Sequence, residues 1–404
     1  MAEEQTVNPW MAKSKDGFNY EKLIDQFGLQ PITKELIEKL ESLSDEPVST
    51  LLRRQIFFAH QDLDKVIEAK KAGKPLFIYT GRGPSKDALH LGHMLPMLFT
   101  AYLQKVFDCY TVIEMSDDEK FYFKEGTLEE FMDCTESNAK DIIASGFNPE
   151  KTFIFSSFKY RSFMQPLIAI LNKKTTMHVA KKIYGFEDSN NLGQLSWPPV
   201  QEAPALCGAF PHLFGDRKDV MCLVPCAVDQ SPYFRELRHS AESLGFPKPA
   251  LICAKFLVSL AGPKEKASST GEIPPIFVSD NNEVIREKIV KYAFSGGGNT
   301  LKEHKEKGGN LSVDVPYIYL YHFLEDEKEL ARIAEEYSSG RMSSKEIKEL
   351  MIAEVMKLIE RHRMSRASIT DEVYRKFFSM RVVAEHKEYF TAYVKKYVNI
   401  DIEY

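Results

Sequence analysis

The chain has 404 residues, 44% of them hydrophobic and 27% charged, with 20 prolines, six cysteines and a formal charge of −5. That length calls for two or three domains with separate cores, and the balance of residues excludes a disordered or fibrous chain. No apolar run approaches the roughly 20 residues of a bilayer span, the polar start MAEEQTVNPW lacks a signal-peptide core, and the negative charge gives no global field for nucleic acid. A cytosolic protein with no membrane partner is expected, and any nucleic-acid partner needs a local basic face. Cys222 and Cys226 in CLVPC have three residues between them where common zinc and redox motifs have two, so all six cysteines read as small buried hydrophobes and no metal site is expected.

Residues 1–73 are mostly helical after a loop-like beginning, VNPWMAKSKDGF, and do not amount to a complete domain. From 74 to 280 short apolar runs alternate with helical periodicity. PLFIYT, TVIEM, KTFIFS, VMCLVP and ALICA predict buried strands, while MLPMLFTAYLQKVF, ESNAKDIIASGF and PYFRELRHSAESLG predict helices. This is the βαβ rhythm of an α/β domain with a Rossmann-like parallel sheet. The stretch from Arg161 to Gln201 is less regular and is expected to be an insertion covering the sheet. Strand signals fade after IPPIFVSD. Asp280 is a plausible cap for a helix carrying Val284, Ile285, Ile289 and Tyr292, and Ser343 with Glu346 has capping-box spacing ahead of Ile347, Leu350, Met351, Val355 and Leu358. A helical domain at 281–370 and a helix with tail at 371–404 complete the chain.

The stretch GRGPSKDALHLGHMLP leaves the first predicted strand at its carboxyl end and enters a helix near Gly92, which is where open α/β sheets place ligands. Gly81, Gly83 and Pro84 permit a tight turn, and the helix start offers unpaired N–H groups to an anion. Pro96, early in that helix, is expected to cost little. His90 and His93 can donate hydrogen bonds to oxygens gaining charge in a transition state. Taken alone, HLGH favours mere loop capping, and zinc is disfavoured because no third ligand lies at a recognisable spacing.

HLGH followed by a later Lys- and Ser-rich loop resembles the paired signatures, HIGH and KMSKS, of the class I aminoacyl-tRNA synthetases. Within that class the chain is similar to the eukaryotic cytosolic tryptophanyl-tRNA synthetase family: VNPW, GFNYEKLIDQFG, YTGRGPS, MSDDEK, PCAVDQSPYFR, FSGGGNT, GGNLSVDV and FLEDE all fall in family order. The resemblance implies an α/β Rossmann-like parallel-sheet nucleotide-binding domain with an appended all-helical anticodon-binding domain. It implies that residues 1–73 are a eukaryote-type extension packed on the active site, and that the protein is a homodimer serving protein biosynthesis. Its activity would be that of a tryptophan–tRNA ligase, joining tryptophan to ATP as the adenylate with Mg2+ as helper, then passing it to tRNA(Trp).

Carried over residue by residue, the resemblance makes His90, His93, Lys266 and Ser268 catalytic, with Lys266 neutralising the departing pyrophosphate. Gly81, Arg82, Gly92 and Thr270 would meet ATP, Gly92 leaving room for adenosine. Tyr79, Glu114, Glu119, Gln201 and Gln230 would form the L-tryptophan pocket, Tyr79 and Glu114 both reaching the indole N–H and Glu119 meeting the ammonium. An indole has one N–H donor and a large apolar face, so a selective site needs a placed acceptor in an aromatic-sized slot.

Several positions depart from the family. Glu114 replaces glutamine, and a buried carboxylate beside an apolar ring is desolvated or protonated, with Glu119 adding repulsion. Ala267, Thr270, Gly271 and Glu272 replace the methionine, serine, aspartate and proline of the second signature, predicting a looser loop and slower catalysis. Where the family reads the anticodon with arginine, aspartate and a later lysine, this chain has Gly298, Asn299 and Lys348. Lys302, Lys305 and Lys307, or Arg361, Arg363 and Arg366, are candidates for tRNA phosphate contact or else solvated helix faces. A weakly active or non-catalytic relative that keeps tRNA binding is the alternative; a nucleotidyltransferase without tRNA is a third reading, opposed by the long helical domain.

Overall fold

The computed structural model describes residues 5–9, 12–269 and 271–400. Its first segment has the expected helices, Tyr20–Phe27, Lys34–Glu41, Thr50–Arg53 and Leu63–Lys71, but also strands that the sequence reading missed. β1 (Gln5–Val7) and β2 (Ala12–Ser14) pair antiparallel, and β3 (Gln30–Pro31) pairs with β4 (Phe57–Gln61). FFAHQ is short and ends in polar residues, so its own pattern does not separate it from a loop. It is a strand because a distant neighbour supplies its ladder.

The five predicted strands all form: β5 (Leu76–Arg82), β6 (Tyr110–Met115), β7 (Thr152–Ser156), β8 (Met221–Ala227) and β9 (Ala250–Ala254). They run parallel in the order β9-β8-β5-β6-β7, and β4 closes the β9 side antiparallel, His60 opposite Ile252. Side chains alternate across this sheet. Leu76 and Ile78 enter the core that includes the helix Leu91–Phe107 and the helical domain, whereas Phe77 and Tyr79 enter a second core on the other face. Chain order reverses at β5, whose neighbours are β8 and β6, and this opens a crevice at the strands' carboxyl ends.

The segment expected to be irregular is largely helical. Ser157–Lys174 runs through its first part, with Tyr160, Met164, Leu167, Ile168 and Leu171 buried on one stripe and Pro166 interrupting the pattern that would have announced it. Met177–Tyr184, Leu192–Ser196 and Pro198–Glu202 follow. After β9 the chain makes β10 (Val258–Ser259) and β11 (Gly262–Lys266), which join the first hairpin in a small sheet ordered β1-β2-β11-β10, Lys13 opposite Glu265.

In the helical domain Asn281, not Asp280, caps Asn282–Tyr292, accepting the Val284 N–H. Asp280 instead accepts the Phe277 N–H at 2.9 Å and pairs with Lys288 at 2.5 Å. Ser343 and Glu346 do form the capping box that starts Ser344–Ala367, whose Ile347, Met351, Val355 and Leu358 are buried. The helix Lys387–Tyr397 buries Phe390 and Val394 in the second core, and Tyr393 Oη donates to the Phe163 carbonyl at 2.6 Å. Among the described residues no helix is long and apolar enough to cross a membrane.

Candidate active site

The crevice at the strand tips holds about 290 Å³ and is lined by Tyr79, Gly81, Arg82, His90, Gly92, His93, Glu119, Gln201, Gln230 and Lys266, ten of the residues singled out in the sequence. β5 delivers Tyr79 to Arg82, the turn after it delivers the histidines, the segment after β8 delivers Gln230, and β11 ends on Lys266.

His90 caps the helix Leu91–Phe107 through its side chain: Nδ1 accepts the Gly92 N–H at 3.1 Å. An accepting Nδ1 puts the proton of the neutral ring on Nε2, and Nε2 is buried with no hydrogen-bond partner among the described residues. The His93 ring lies 3.5 Å away, centroid to centroid, and its Nδ1 is likewise buried and unpartnered. Burial first, and the neighbouring Arg82 charge second, hold both imidazoles well below their ordinary pKa, so both are neutral near pH 7. Gly92 also lies close to the His90 ring: a Cβ there would stand 3.0 Å from His90 Cε1, and the ring would have to give way. Pro96 falls in the second turn, not the first, so the bond it lacks is one the Gly92 carbonyl would otherwise receive. The segment after the Lys266 loop is stitched to this turn, Leu91 donating to Ile276 at 3.0 Å and Val278 to Leu89 at 2.9 Å.

Three further cations face this end. Arg82 is buried with Nε and one terminal nitrogen unpartnered, and desolvation brings its pKa to about 10. Lys266 pairs with Asp229 at 2.6 Å and lies 5.2 Å from the Phe256 ring centre; the second Asp229 oxygen is buried without a partner. Lys120 pairs with Glu119 at 3.0 Å and crosses the backbone of Gly83, where a Cβ would come within 1.9 Å of its side chain.

At the other end Tyr79 is wholly buried, its hydroxyl donating to Glu114 Oε2 at 2.5 Å and accepting from Gln201 Nε2 at 3.0 Å. Glu119 accepts from Ser116 Oγ at 2.8 Å. Glu114 corrects the expectation that it lines the crevice beside Tyr79. It stands opposite Gly81 in the ladder, behind the wall, fully buried with Oε1 unpartnered. Its carboxyl is pushed well above the ordinary range by burial before anything else; Glu119 contributes least of the named causes, after Asp118.

The remaining expected residues are not gathered here. Ser268 is half-buried off the crevice wall, and Thr270 lies outside the described residues. Lys266 ends β11 in register opposite Val258. Asn299 is exposed on its loop, its N–H on Glu303 Oε2 at 3.1 Å, and Lys348 Nζ donates to the Val290 carbonyl at 3.2 Å. Gly298 packs so closely on the next helix that a Cβ would sit 2.6 Å from the His304 nitrogen. Of the basic residues named as candidates for phosphate contact, Arg363 donates to the Asp280 carbonyl and Arg366 to the buried Asp141. Sequence reasoning also missed Asp229, Lys120 and Ser116, although each adjoins a recognised motif. AVDQ carries the carboxylate that a lysine across the sheet requires, and SDDEK begins and ends on the other two.

With this geometry in hand, likeness to known proteins is informative. Residues 70–360 match the family described as tRNA synthetases class I (W and Y). The cytoplasmic tryptophan–tRNA ligase of Rattus norvegicus is 44% identical over 395 residues, covering 96% of this chain and 82% of that protein. That of Arabidopsis thaliana is 44% identical over 382 residues, 94% of this chain and 95% of that one. The crystal structure of Plasmodium falciparum tryptophanyl-tRNA synthetase superimposes with a TM-score of 0.83 at 41% identity, covering 90% of this chain and 96% of that one.

Proposed function

The chain belongs to the class I tRNA synthetases of the tryptophan and tyrosine group, and from that premise we propose how its crevice carries out the tryptophan–tRNA ligase reaction. One observation carries the assignment: two neutral imidazoles, a desolvated guanidinium and the Lys266 ammonium converge at the tips of β5 and β8, with buried N–H groups left unpaired. A polyanion supplies the missing partners, and a nucleotide triphosphate fits both the charge and the place in the fold.

The carboxylate of tryptophan attacks the α-phosphorus of ATP, and the bond from that phosphorus to the bridging oxygen breaks, releasing pyrophosphate. His90 Nε2–H and His93 donate to phosphate oxygens as their charge grows, and Arg82 and Lys266 neutralise the leaving group. Because both imidazoles are neutral beforehand, they act as donors and no proton needs to move through them. Magnesium brought by ATP would lower the charge on its phosphates, and Asp229 Oδ1, the unpaired carboxylate oxygen beside Lys266, would be the atom of this chain to meet it. A ribose hydroxyl at the end of tRNA(Trp) then attacks the carbonyl carbon of the adenylate, and AMP leaves.

For tryptophan, Tyr79 offers the hydroxyl oxygen that accepts the indole N–H, Glu119 meets the ammonium, and Gln201 and Gln230 complete the polar rim. Glu114, protonated, fixes the Tyr79 hydroxyl from behind. The 1–73 segment braces the Lys266 strand through β2 and sets Pro9 in the crevice wall. Asn299, exposed on its loop, and Lys348 are assigned to the anticodon by their match to the family's positions. A homodimer would cover the face formed by Asp117–Phe123, Ser157–Lys174 and Leu192–Ser196, where Phe121, Phe158 and the 84%-exposed Leu192 otherwise meet water. The relatives are named cytoplasmic, and the same compartment is assigned here.

The test is tryptophan-dependent exchange of labelled pyrophosphate into ATP beside charging of a total tRNA pool. Both are expected. Binding of tRNA without exchange would instead establish the non-catalytic alternative.

A further inference from the structure

The turn that carries His90 is held from two sides, and both holds lead to the end of the same helix. On one side the Leu89 N–H donates to Asp141 Oδ2 at 3.1 Å. Asp141 is buried on the helix Leu128–Ile143, and its other oxygen accepts Arg366 Nε at 2.7 Å and faces His362 Nε2 at 3.5 Å. The same helix grips the preceding residues: Ser137 Oγ donates to the Asp87 carbonyl at 2.5 Å and Asn138 Nδ2 to the Lys86 carbonyl at 2.6 Å, while Arg366 reaches Ser137 Oγ at 2.9 Å. On the other side, His90 bridges to Phe277. Phe277 is fixed by Asp280, and the Asp280 carbonyl is bound by Arg363. His362, Arg363 and Arg366 belong to the last turns of Ser344–Ala367.

Neither Asp141 nor these three residues line the crevice. An imidazole whose Nε2–H must point at a phosphate needs its backbone fixed, because a displacement of about 1 Å is enough to cost on the order of a hundredfold in rate. A carboxylate that accepts one backbone N–H at the residue before that imidazole is a direct means of fixing it, and the pairing with Arg366 orients the carboxylate. We propose that Asp141 is a positioning residue for His90, acting through the Leu89 amide, and that Arg366 is the helical domain's hold on Asp141. The end of the helical domain thereby sets the geometry of adenylate formation.

This inference rests on the adenylation site proposed above. Arg366 is 38% exposed, so Arg366→Ala is expected to fold. The measurement is the pyrophosphate-exchange rate per active site, with sites counted by the burst of adenylate formation. Exchange by Arg366→Ala should fall on the order of tenfold, the KM for tryptophan should stay unchanged, and Arg366→Lys should recover part of the loss. In a chain already carrying His90→Ala, Arg366→Ala should add nothing further, since what it positions is gone. An equal loss with and without His90 would mean general destabilisation and would overturn the inference, as would wild-type exchange by Arg366→Ala. If the unaltered chain shows no exchange, it is the adenylation reading that fails.

Discussion

The two ends of the crevice are built on opposite plans. At the phosphate end His90, His93 and Arg82 are buried with nitrogens left unpaired, and one oxygen of Asp229 is unpaired beside Lys266. At the tryptophan end the Tyr79 hydroxyl is bonded to Glu114 Oε2 at 2.5 Å and to Gln201 Nε2 at 3.0 Å, and the one buried unpaired atom of the three, Glu114 Oε1, lies behind the crevice wall. Burying polar groups without partners is unfavourable, so the first end favours an incoming anion, while at the second the Tyr79 hydroxyl is already oriented by two bonds and keeps one lone pair for an indole N–H. The contrast teaches that ATP meets a ready site and that discrimination is exercised on tryptophan.

The largest effect that sharpens this contrast belongs to Lys266→Ala. Removing a positioned charge from a developing oxyanion should lower exchange on the order of a hundredfold to a thousandfold, with tryptophan affinity by calorimetry nearly unchanged; a loss confined to tryptophan binding would break the division. Next is Tyr79→Phe, which removes the indole's acceptor. Tryptophan affinity should fall by about 1 kcal/mol, roughly fivefold, with ATP affinity retained.

Glu114→Gln should have the smallest effect on binding: no loss of tryptophan affinity, since a neutral amide replaces a neutral acid. Its signature is in stability. The unfolded carboxyl ionises near 4.5, and the folded one well above. Between those pH values the folded chain keeps a proton that the unfolded chain has released, so stability falls as pH rises through that window. Glu202, held at about 8 by burial and bonded to Tyr184 Oη at 2.5 Å, adds the same trend. The melting temperature of Glu114→Gln should therefore match that of the unaltered chain below pH 4.5 and exceed it increasingly above; a constant difference would show Glu114 ionised in the folded state.

The parts of the molecule legible in its sequence are those whose signal is local. β5 to β9 announced themselves as apolar runs because both faces of a parallel sheet are covered, and the Ser343–Glu346 box lies within one turn. β4 and β11 did not: FFAHQ is drawn into the sheet by β9, far away in sequence, and GPKEK is polar and pairs with the two-residue β10 beside it and with the distant β2. The long helix at 157–174 was masked by Pro166, and Asp280 lost the cap to its neighbour Asn281, a difference of one residue that spacing does not resolve. In the site, HLGH and Lys266 were legible as motifs. Asp229 and Asp141 were not, because a carboxylate that serves a lysine or an amide brought near by the fold has no sequence pattern of its own.

In the reaction proposed here the phosphates of ATP lie between the imidazoles and the Lys266 ammonium at the strand tips. A crystal structure with ATP and tryptophan bound tests it most directly. Phosphate oxygens are expected within hydrogen-bond reach of His90 Nε2 and Lys266 Nζ, and the indole nitrogen at Tyr79 Oη. Phosphates elsewhere, with Lys266 directed away from them, would contradict it.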